Sequence, residues 1–386
     1  MAKLIEITGK TISGEWGFDD TEGIGIPVLR TTNFTNEGFI DYQNVVTRII
    51  KKQNISEKFL RSGDIIIEKS GGSDKQPVGR VVYYDGPDNT YLFNNFTGVL
   101  RVKDPSKWYP KYIFYALFTN YWRGGTRRFE NKTTGLHNLK TDDYVARFGI
   151  AEIPLDQQIC ICNTLDKIHL LIGSRKKQLT KMDDLIKSRF VEMFGDPKYN
   201  KSNLVKVGEI GVLTSGGTPT RAKLEYFEGS IRWYSAGELN SLYLPDSLEH
   251  ISETALQQSS AKLFNKGTLM IGMYDTAALK MGILTEDSSS NQACANLNPK
   301  QGYNVVWLYY LFDIMKPIFL QERQGVRQKN LSLSKIKNFE VPFAPFTLQN
   351  EFADFVAQID KLKSAIQAAL DKTQLLFDSL MQEYFG

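Results

Sequence analysis

The chain has 386 residues, of which 42% are hydrophobic and 23% charged, with 47 Lys and Arg against 43 Asp and Glu. This balance suits two or three packed domains and excludes bulk disorder, and a net charge of +4 is too small to mark a nucleic-acid binder by itself. Three cysteines, Cys160, Cys162 and Cys294, match no disulfide framework or zinc spacing and read as buried or incidental thiols in a reducing compartment.

The opening residues MAKLIEITGK lack the apolar core of a signal peptide, and no apolar run approaches the roughly 20 residues of a membrane span. The sequence therefore reads as cytoplasmic, with no membrane contact. Short β-type runs follow at Asp64-Ile-Ile-Ile-Glu68 and Gly79-Arg-Val-Val-Tyr-Tyr84, separated by a turn signal at Ser70-Gly-Gly-Ser73. A helix is predicted at about 110–121. Pro154 then precedes an uninterrupted helical pattern to Phe194, about 58 Å long at 1.5 Å per residue, with Asp156 as a candidate N-cap and Gly195-Asp-Pro197 as its stop. After a short link come β-type runs at Leu269-Met-Ile-Gly-Met-Tyr274 and Met281-Gly-Ile-Leu-Thr285, a helix at about 305–321, and a second long helix from a Thr347 cap to Phe385.

The two halves repeat. Leu185-Ile-Lys-Ser-Arg-Phe-Val-Glu-Met-Phe-Gly195 aligns with Leu376-Phe-Asp-Ser-Leu-Met-Gln-Glu-Tyr-Phe-Gly386, and the same offset pairs Pro154 with Pro345 and Gln158 with Gln349. Upstream, Asn138-Leu139 pairs with Asn330-Leu331, and Arg123, Gly125 and Arg127 pair with Arg323, Gly325 and Arg327. A period this long is a domain duplication. Each long helix also carries a heptad seam. In the first it includes Leu165, Ile168, Ile172, Leu179 and Ile186, and in the second Ile359, Ile366, Leu370, Phe377 and Leu380. Such seams pair with one another. The expected organisation is a globular domain at 1–153, a spacer helix at 154–196, a second domain at 197–343 and a second spacer helix at 344–386. The expected class is α+β, with two α/β globular domains joined by two long antiparallel helices as a coiled coil of pseudo-two-fold symmetry.

Charge is concentrated where the repeat places it. Residues 101–132 hold eight Lys and Arg against two acids, and residues 314–337 hold six against one. A basic, glycine-containing strip such as Tyr121-Trp-Arg-Gly-Gly-Thr-Arg-Arg128 can approach a phosphate backbone closely, and Arg forks match guanine edges while Asn and Gln suit adenine. The candidate DNA-contacting residues are Lys69, Lys75, Gln76, Arg80, Arg123, Arg127, Arg128, Lys132, His137 and Asn138 in the first copy. In the second they are Thr218, Arg221, Tyr274, Lys280, Arg323, Arg327, Gln328, Lys329 and Asn330.

Catalytic motifs are missing. The sequence has no phosphate-binding Gly-x-x-x-x-Gly-Lys loop, no histidine pair at zinc spacing and no hydrolase elbow. Asp64 with Glu68-Lys69 forms only a loose nuclease-like set with too tight a spacing.

Several segments resemble the specificity subunit of type I restriction–modification systems. They are Ser215-Gly-Gly-Thr-Pro219 with Glu225-Tyr-Phe and Ile231-Arg-Trp233, Gly63-Asp-Ile-Ile-Ile-Glu-Lys-Ser-Gly-Gly-Ser73 with Pro77-Val-Gly-Arg80, Asn330-Leu-Ser-Leu-Ser-Lys-Ile336 leading to Val341-Pro342, and the repeated helix tails. The first copy departs from the pattern, with Ser13-Gly-Glu-Trp-Gly17 in place of the Gly-Gly-Thr-Pro turn and about eight extra residues near 129–136. The resemblance implies two target recognition domains, each gripping half of a split double-stranded DNA site. It also implies helices that dock two methyltransferase subunits, and restriction subunits that join the assembly. No cofactor would sit in this chain; S-adenosylmethionine, ATP and magnesium would be held by the partners. The rival readings are a coiled-coil scaffold that binds no DNA and a nuclease with an unrecognised site.

Overall fold

The computed structural model describes residues 1–133, 136–323 and 330–386, and for Lys132, Thr133 and Asp275 the backbone alone. The chain forms two compact units, residues 1–175 with 369–386, and residues 176–368.

Both units are built on the same strand order. In the first, Ile12–Ser13, Thr97–Leu100, Ile65–Glu68 and Val81–Tyr83 form an antiparallel sheet in that order; in the second, Gly211–Ser215, Cys294–Pro299, Leu269–Gly272 and Met281–Ile283 do the same. The central strands Ile65–Glu68 and Leu269–Gly272 are buried throughout, which explains their near-continuous apolar sequence. Each unit has a second sheet, of four strands in the first and three in the second, with one parallel pairing, Ile26–Leu29 with Leu92–Phe93 and Ile231–Tyr234 with Ser289–Ser290. A two-stranded ladder joins Ala2–Lys3 to Gly149–Ile150 in the first unit, and Leu204–Lys206 to Glu340–Pro342 in the second. Each unit thus holds several small sheets, because turns interrupt every apolar run after a few residues. Ser70–Gly72, read as a turn, is a strand that pairs with Leu136–Leu139, which pairs in turn with Glu130–Thr133; the extra residues of the first copy fall in this three-stranded sheet.

The long helices span Leu155–Phe194 and Phe346–Phe385. Both start one residue before the expected caps. Asp156 and Thr347 lie inside the first turn, and the carbonyls of Pro154 and Pro345 accept the first helical bonds from the N–H groups of Gln158 and Gln349. The carbonyl of a proline remains a full acceptor, so the prolines close these turns themselves. Gly195, at φ +73°, ends the first helix as expected, with its N–H bonded to the Val191 carbonyl.

Within each unit the two helices run antiparallel. In the first unit the His169 ring meets Phe377 at 5.7 Å, and the Arg175 guanidinium donates to the Ala369 carbonyl. In the second, Asp183 pairs with Lys363 at 2.6 Å, and Phe190 meets Phe352 at 5.2 Å. The heptad positions Leu165, Ile168, Ile172, Ile186, Ile359, Leu370 and Phe377 are buried, whereas Leu179, Ile366 and Leu380 are half-buried. The polar seam residues have partners as well: Lys363 takes Asp183, and the Thr373 hydroxyl donates to the Ala369 carbonyl. Seam packing is only part of the burial. Ile186, Phe190, Phe352, Val356 and Ile359 also enter the second globular core, against Trp307, Leu311 and Phe312 of the helix Val305–Phe319. Phe190→Ala would cost about 3–5 kcal/mol on that basis.

Candidate nucleic-acid interface

Two loops in the first unit converge. The loop after Ile65–Glu68 meets the segment that follows the helix Pro110–Trp122. The Tyr121 hydroxyl donates to the Pro77 carbonyl at 3.3 Å, and the Arg127 guanidinium to the Asp74 carbonyl at 3.4 Å. Gly79, at φ +106°, lies so close to Thr126 that a Cβ would sit 2.8 Å from its methyl group, so glycine is needed here for both conformation and space. The base of the loop is tied to the extra sheet, where the Leu139 N–H donates to the Lys69 carbonyl at 2.8 Å. Lys75, Gln76, Arg127 and Arg128 are exposed along this face, whereas the exposed Arg123 lies beside Phe377, Met381 and Gln382 of the second long helix. Among the described residues no ion pair engages Lys75, Arg127 or Arg128, which leaves three cations facing solvent in one region. Arg128 lies over the Phe129 ring at 5.0 Å.

Other candidates of this copy are held inside the fold. The Arg80 guanidinium is bidentate to Glu68, with both bonds at 3.2 Å, and also donates to the Thr31 carbonyl. Its main role is to neutralise a carboxylate whose side chain is 4% exposed. His137 is buried against Glu130, with Nδ1 to Oε2 at 3.0 Å. Lys69 is half-buried, and burial first, then the nearby Lys58, pulls its ammonium below the usual range. Asn138 bonds the Ser70 hydroxyl. Lys132 contributes its backbone, opposite His137.

The second unit repeats the docking of the loop base. The Leu331 N–H donates to the Met273 carbonyl at 2.8 Å, as Leu139 does to Lys69. The N–H of Gly272 bonds the Lys280 carbonyl at 2.8 Å, and that of Glu68 bonds the Arg80 carbonyl at 2.8 Å, so Lys280 and Arg80 are structural equivalents. The sequence alignment missed this because the intervening loops, 69–79 and 273–279, differ in length. Where Arg80 meets Glu68, Lys280 has Gly272, and its ammonium donates to the Gly237 carbonyl, at 3.4 Å. Tyr274 is exposed beside it. Thr218 bonds Gln292, whose neighbour Ala293 accepts the Met273 N–H at 2.9 Å, so Thr218 belongs to the same region. Arg221 instead lies over Phe227 at 4.6 Å and pairs with Glu249, on the small sheet. Arg323 caps its own turn, with Nε donating to the Leu320 carbonyl at 3.0 Å. Asn330 directly precedes the docked Leu331. Arg327, Gln328 and Lys329 lie outside the described residues.

Sequence reasoning overlooked Glu130, the one acid within the basic window 105–132; an isolated acid in such a window is a signal that it has a partner. The nuclease-like set is also accounted for. Asp64 is clamped by Arg101 at 2.7 Å and Glu68 by Arg80, so both carboxylates are occupied by guanidinium groups.

These paired loops on a duplicated scaffold define a two-headed surface-recognition protein. The model of the type I restriction–modification DNA specificity domain matches residues 1–181 and again 199–373, and the chain belongs to that family. It is 28% identical over 165 residues to the specificity subunit of the type I restriction enzyme MjaIX of Methanocaldococcus jannaschii, covering 41% of this chain and 37% of that protein. It is 24% identical over 175 residues to the EcoR124I/EcoR124II specificity subunit of Escherichia coli, covering 43% of each. The chain thus aligns with less than half the length of these relatives. Among solved structures, the S subunit of the M. genitalium type I restriction–modification system superposes with a TM-score of 0.58 at 16% identity, over 100% of this chain and 95% of that one. A chain from a study of complex assembly and conformational transition of the type I system gives 0.59 at 14%, over 100% and 96%. At such identities the likeness concerns the fold.

Proposed function

We propose that this chain is the sequence-reading subunit of a type I restriction–modification complex. Each unit recognises one part of a two-part double-stranded DNA site and performs no chemistry itself. The observation that carries the reading is the tandem match to the DNA specificity domain, one match per unit. The paired loops give it a surface: exposed cations to position the phosphates, and polar tips to meet base edges. The loops differ, with Lys75 and Gln76 exposed in the first unit and Tyr274 in the second, and Lys280 at the loop base in place of Arg80, which suits two unlike half-sites.

Two methyltransferase subunits are the natural partners of the long helices. Leu171 and Leu362 are 51% and 53% exposed, and Leu185 and Leu376 are 48% and 49%. Each pair is separated by the repeat offset, so each unit offers an exposed leucine from each helix, with Leu170 and Leu375 adding to the first unit. Two copies of one apolar face suit two copies of one partner. S-adenosylmethionine, ATP and magnesium are assigned to the methyltransferase and restriction subunits. No described helix is long and apolar enough to cross a membrane, and the complex is placed in the cytoplasm with the DNA.

The test is a DNA-binding titration of the chain with its modification subunits at several salt concentrations, alongside the isolated chain incubated with DNA and magnesium. Specific, salt-dependent binding without cleavage is expected. Loss of DNA binding despite intact assembly would favour the scaffold, and cleavage by the isolated chain would favour the nuclease.

A further inference from the structure

We propose that Glu130 and His137 are positioning residues for recognition of one half-site. Together they act as a buried latch that fixes both arms of the loop 73–78. The proposal rests on the reading above, in which this loop contacts DNA.

The geometry is specific. Glu130 Oε1 accepts the Val78 N–H at 3.0 Å, at the returning arm of the loop. Oε2 pairs with His137 Nδ1 at 3.0 Å, and His137 Nε2 faces Asp74 Oδ1 at 3.6 Å, on the outgoing arm. The Glu130 and His137 side chains are only 3% and 7% exposed, while that of Asp74 is 85% exposed. The latch is therefore a buried relay that ends on a surface loop. A carboxylate removed from water must be fully hydrogen-bonded, so its bonds resist movement of the backbone they hold. Within the loop Ser73 and Gln76 bond each other, closing the tip, with Ser73 N–H to the Gln76 carbonyl at 2.7 Å and Gln76 N–H to Ser73 Oγ at 3.2 Å. Lys75 and Gln76 project from that tip, so their position depends on the arms.

The second unit is built differently. Its shorter loop closes on its own backbone, through Ala277 N–H to Tyr274 at 3.0 Å, Leu279 N–H to Gly272 at 2.8 Å and Lys280 N–H to Ala277 at 3.0 Å. The latch should therefore act on one half-site only. Imprecise positioning of contact groups weakens discrimination between bases more than overall affinity, because phosphate contacts remain.

The experiment uses the full chain with its modification subunits and measures methylation rates on duplexes carrying single-base changes in either half of the target. Lys75→Ala and Gln76→Ala identify the half read by this loop. Glu130→Ala should lower discrimination in that half about tenfold or more and leave the other half within about twofold, consistent with the usual worth of a base contact. Glu130→Gln should recover part of the loss, since its amide oxygen still accepts the Val78 N–H. Asp74→Ala, a surface change that should leave folding intact, should give a smaller loss in the same half. Wild-type discrimination in both Glu130→Ala and Asp74→Ala, with Lys75→Ala altered, would overturn the latch alone. Equal loss in both halves would reduce Glu130 to a general folding role. No effect of Lys75→Ala or Gln76→Ala in either half would overturn the loop as a DNA contact, and the latch with it.

Discussion

Gln158 and Gln349 do the same work at equivalent points of the two units. The Gln158 carboxamide accepts the Tyr109 N–H at 2.9 Å and donates to the carbonyls of Lys107 and Ile153, at 3.0 and 2.9 Å. Gln349 accepts the Asn304 N–H at 2.8 Å and donates to the carbonyls of Gly302 and Ala344, at 3.4 and 2.7 Å. Both side chains are buried, at 1% and 0% exposure. Each ties the first turn of a long helix to the start of the helix at Pro110–Trp122 or Val305–Phe319, and so fixes how the spacer leaves its globular core.

Replacing either glutamine with leucine removes the side-chain partner of three backbone groups, most of them partly buried. Gln158→Leu and Gln349→Leu should each destabilise the protein by about 2–4 kcal/mol, read as a lower midpoint in chemical denaturation. A change below about 0.5 kcal/mol in either would show that these ties are dispensable.

Arg127 and Arg128 are exposed cations without ion pairs among the described residues. Arg127→Ala and Arg128→Ala should weaken DNA binding about equally on cognate and unrelated duplexes, each lowering the salt slope by about 1. Arg80→Ala should behave differently. It strands the buried Glu68 carboxylate, so folding suffers before DNA binding does, and thermal unfolding of the free chain is the measurement that separates the two.

That contrast marks what the sequence could reveal. The repeat, the two long helices and the correspondence of Asn138-Leu139 with Asn330-Leu331 were legible because they depend on periodicity and on motifs short in sequence. The pairing of Arg80 with Glu68 and the burial of His137 were not. Both depend on which strand faces lie inward and on residues brought together across a sheet, and a list of basic residues is silent on those. The equivalence of Arg80 and Lys280 was hidden by loop length, which shifts the alignment but not the hydrogen bonds at the loop base. The helix caps were misplaced by two residues, at Asp156 and Thr347 instead of Pro154 and Pro345, because Asp and Thr are favoured both at caps and in first turns.

The exposed leucines give a test of partner docking. Leu171→Asp and Leu362→Asp lie on solvent-facing positions, so each should leave the melting temperature nearly unchanged while weakening capture of one methyltransferase copy about tenfold or more. The double variant should lose both copies. Sedimentation of the reconstituted complex distinguishes two, one and no bound partners; retention of both copies by the double variant would remove these faces from the interface.

The cysteines differ in access. Burial pushes the Cys162 and Cys294 thiols up to about 12, while Cys160 is exposed. A thiol-reactive dye at neutral pH should label one cysteine in the folded chain and all three after denaturation. Rapid labelling of Cys294 in the native protein would contradict the packing of the second unit.

The central claim is that two unlike heads read two unlike halves of one DNA site. Mapping methylated positions across the genome of cells that carry this chain with its modification subunits measures it directly. The account predicts an asymmetric target of two short specified segments separated by unspecified bases; a single continuous palindrome would contradict it.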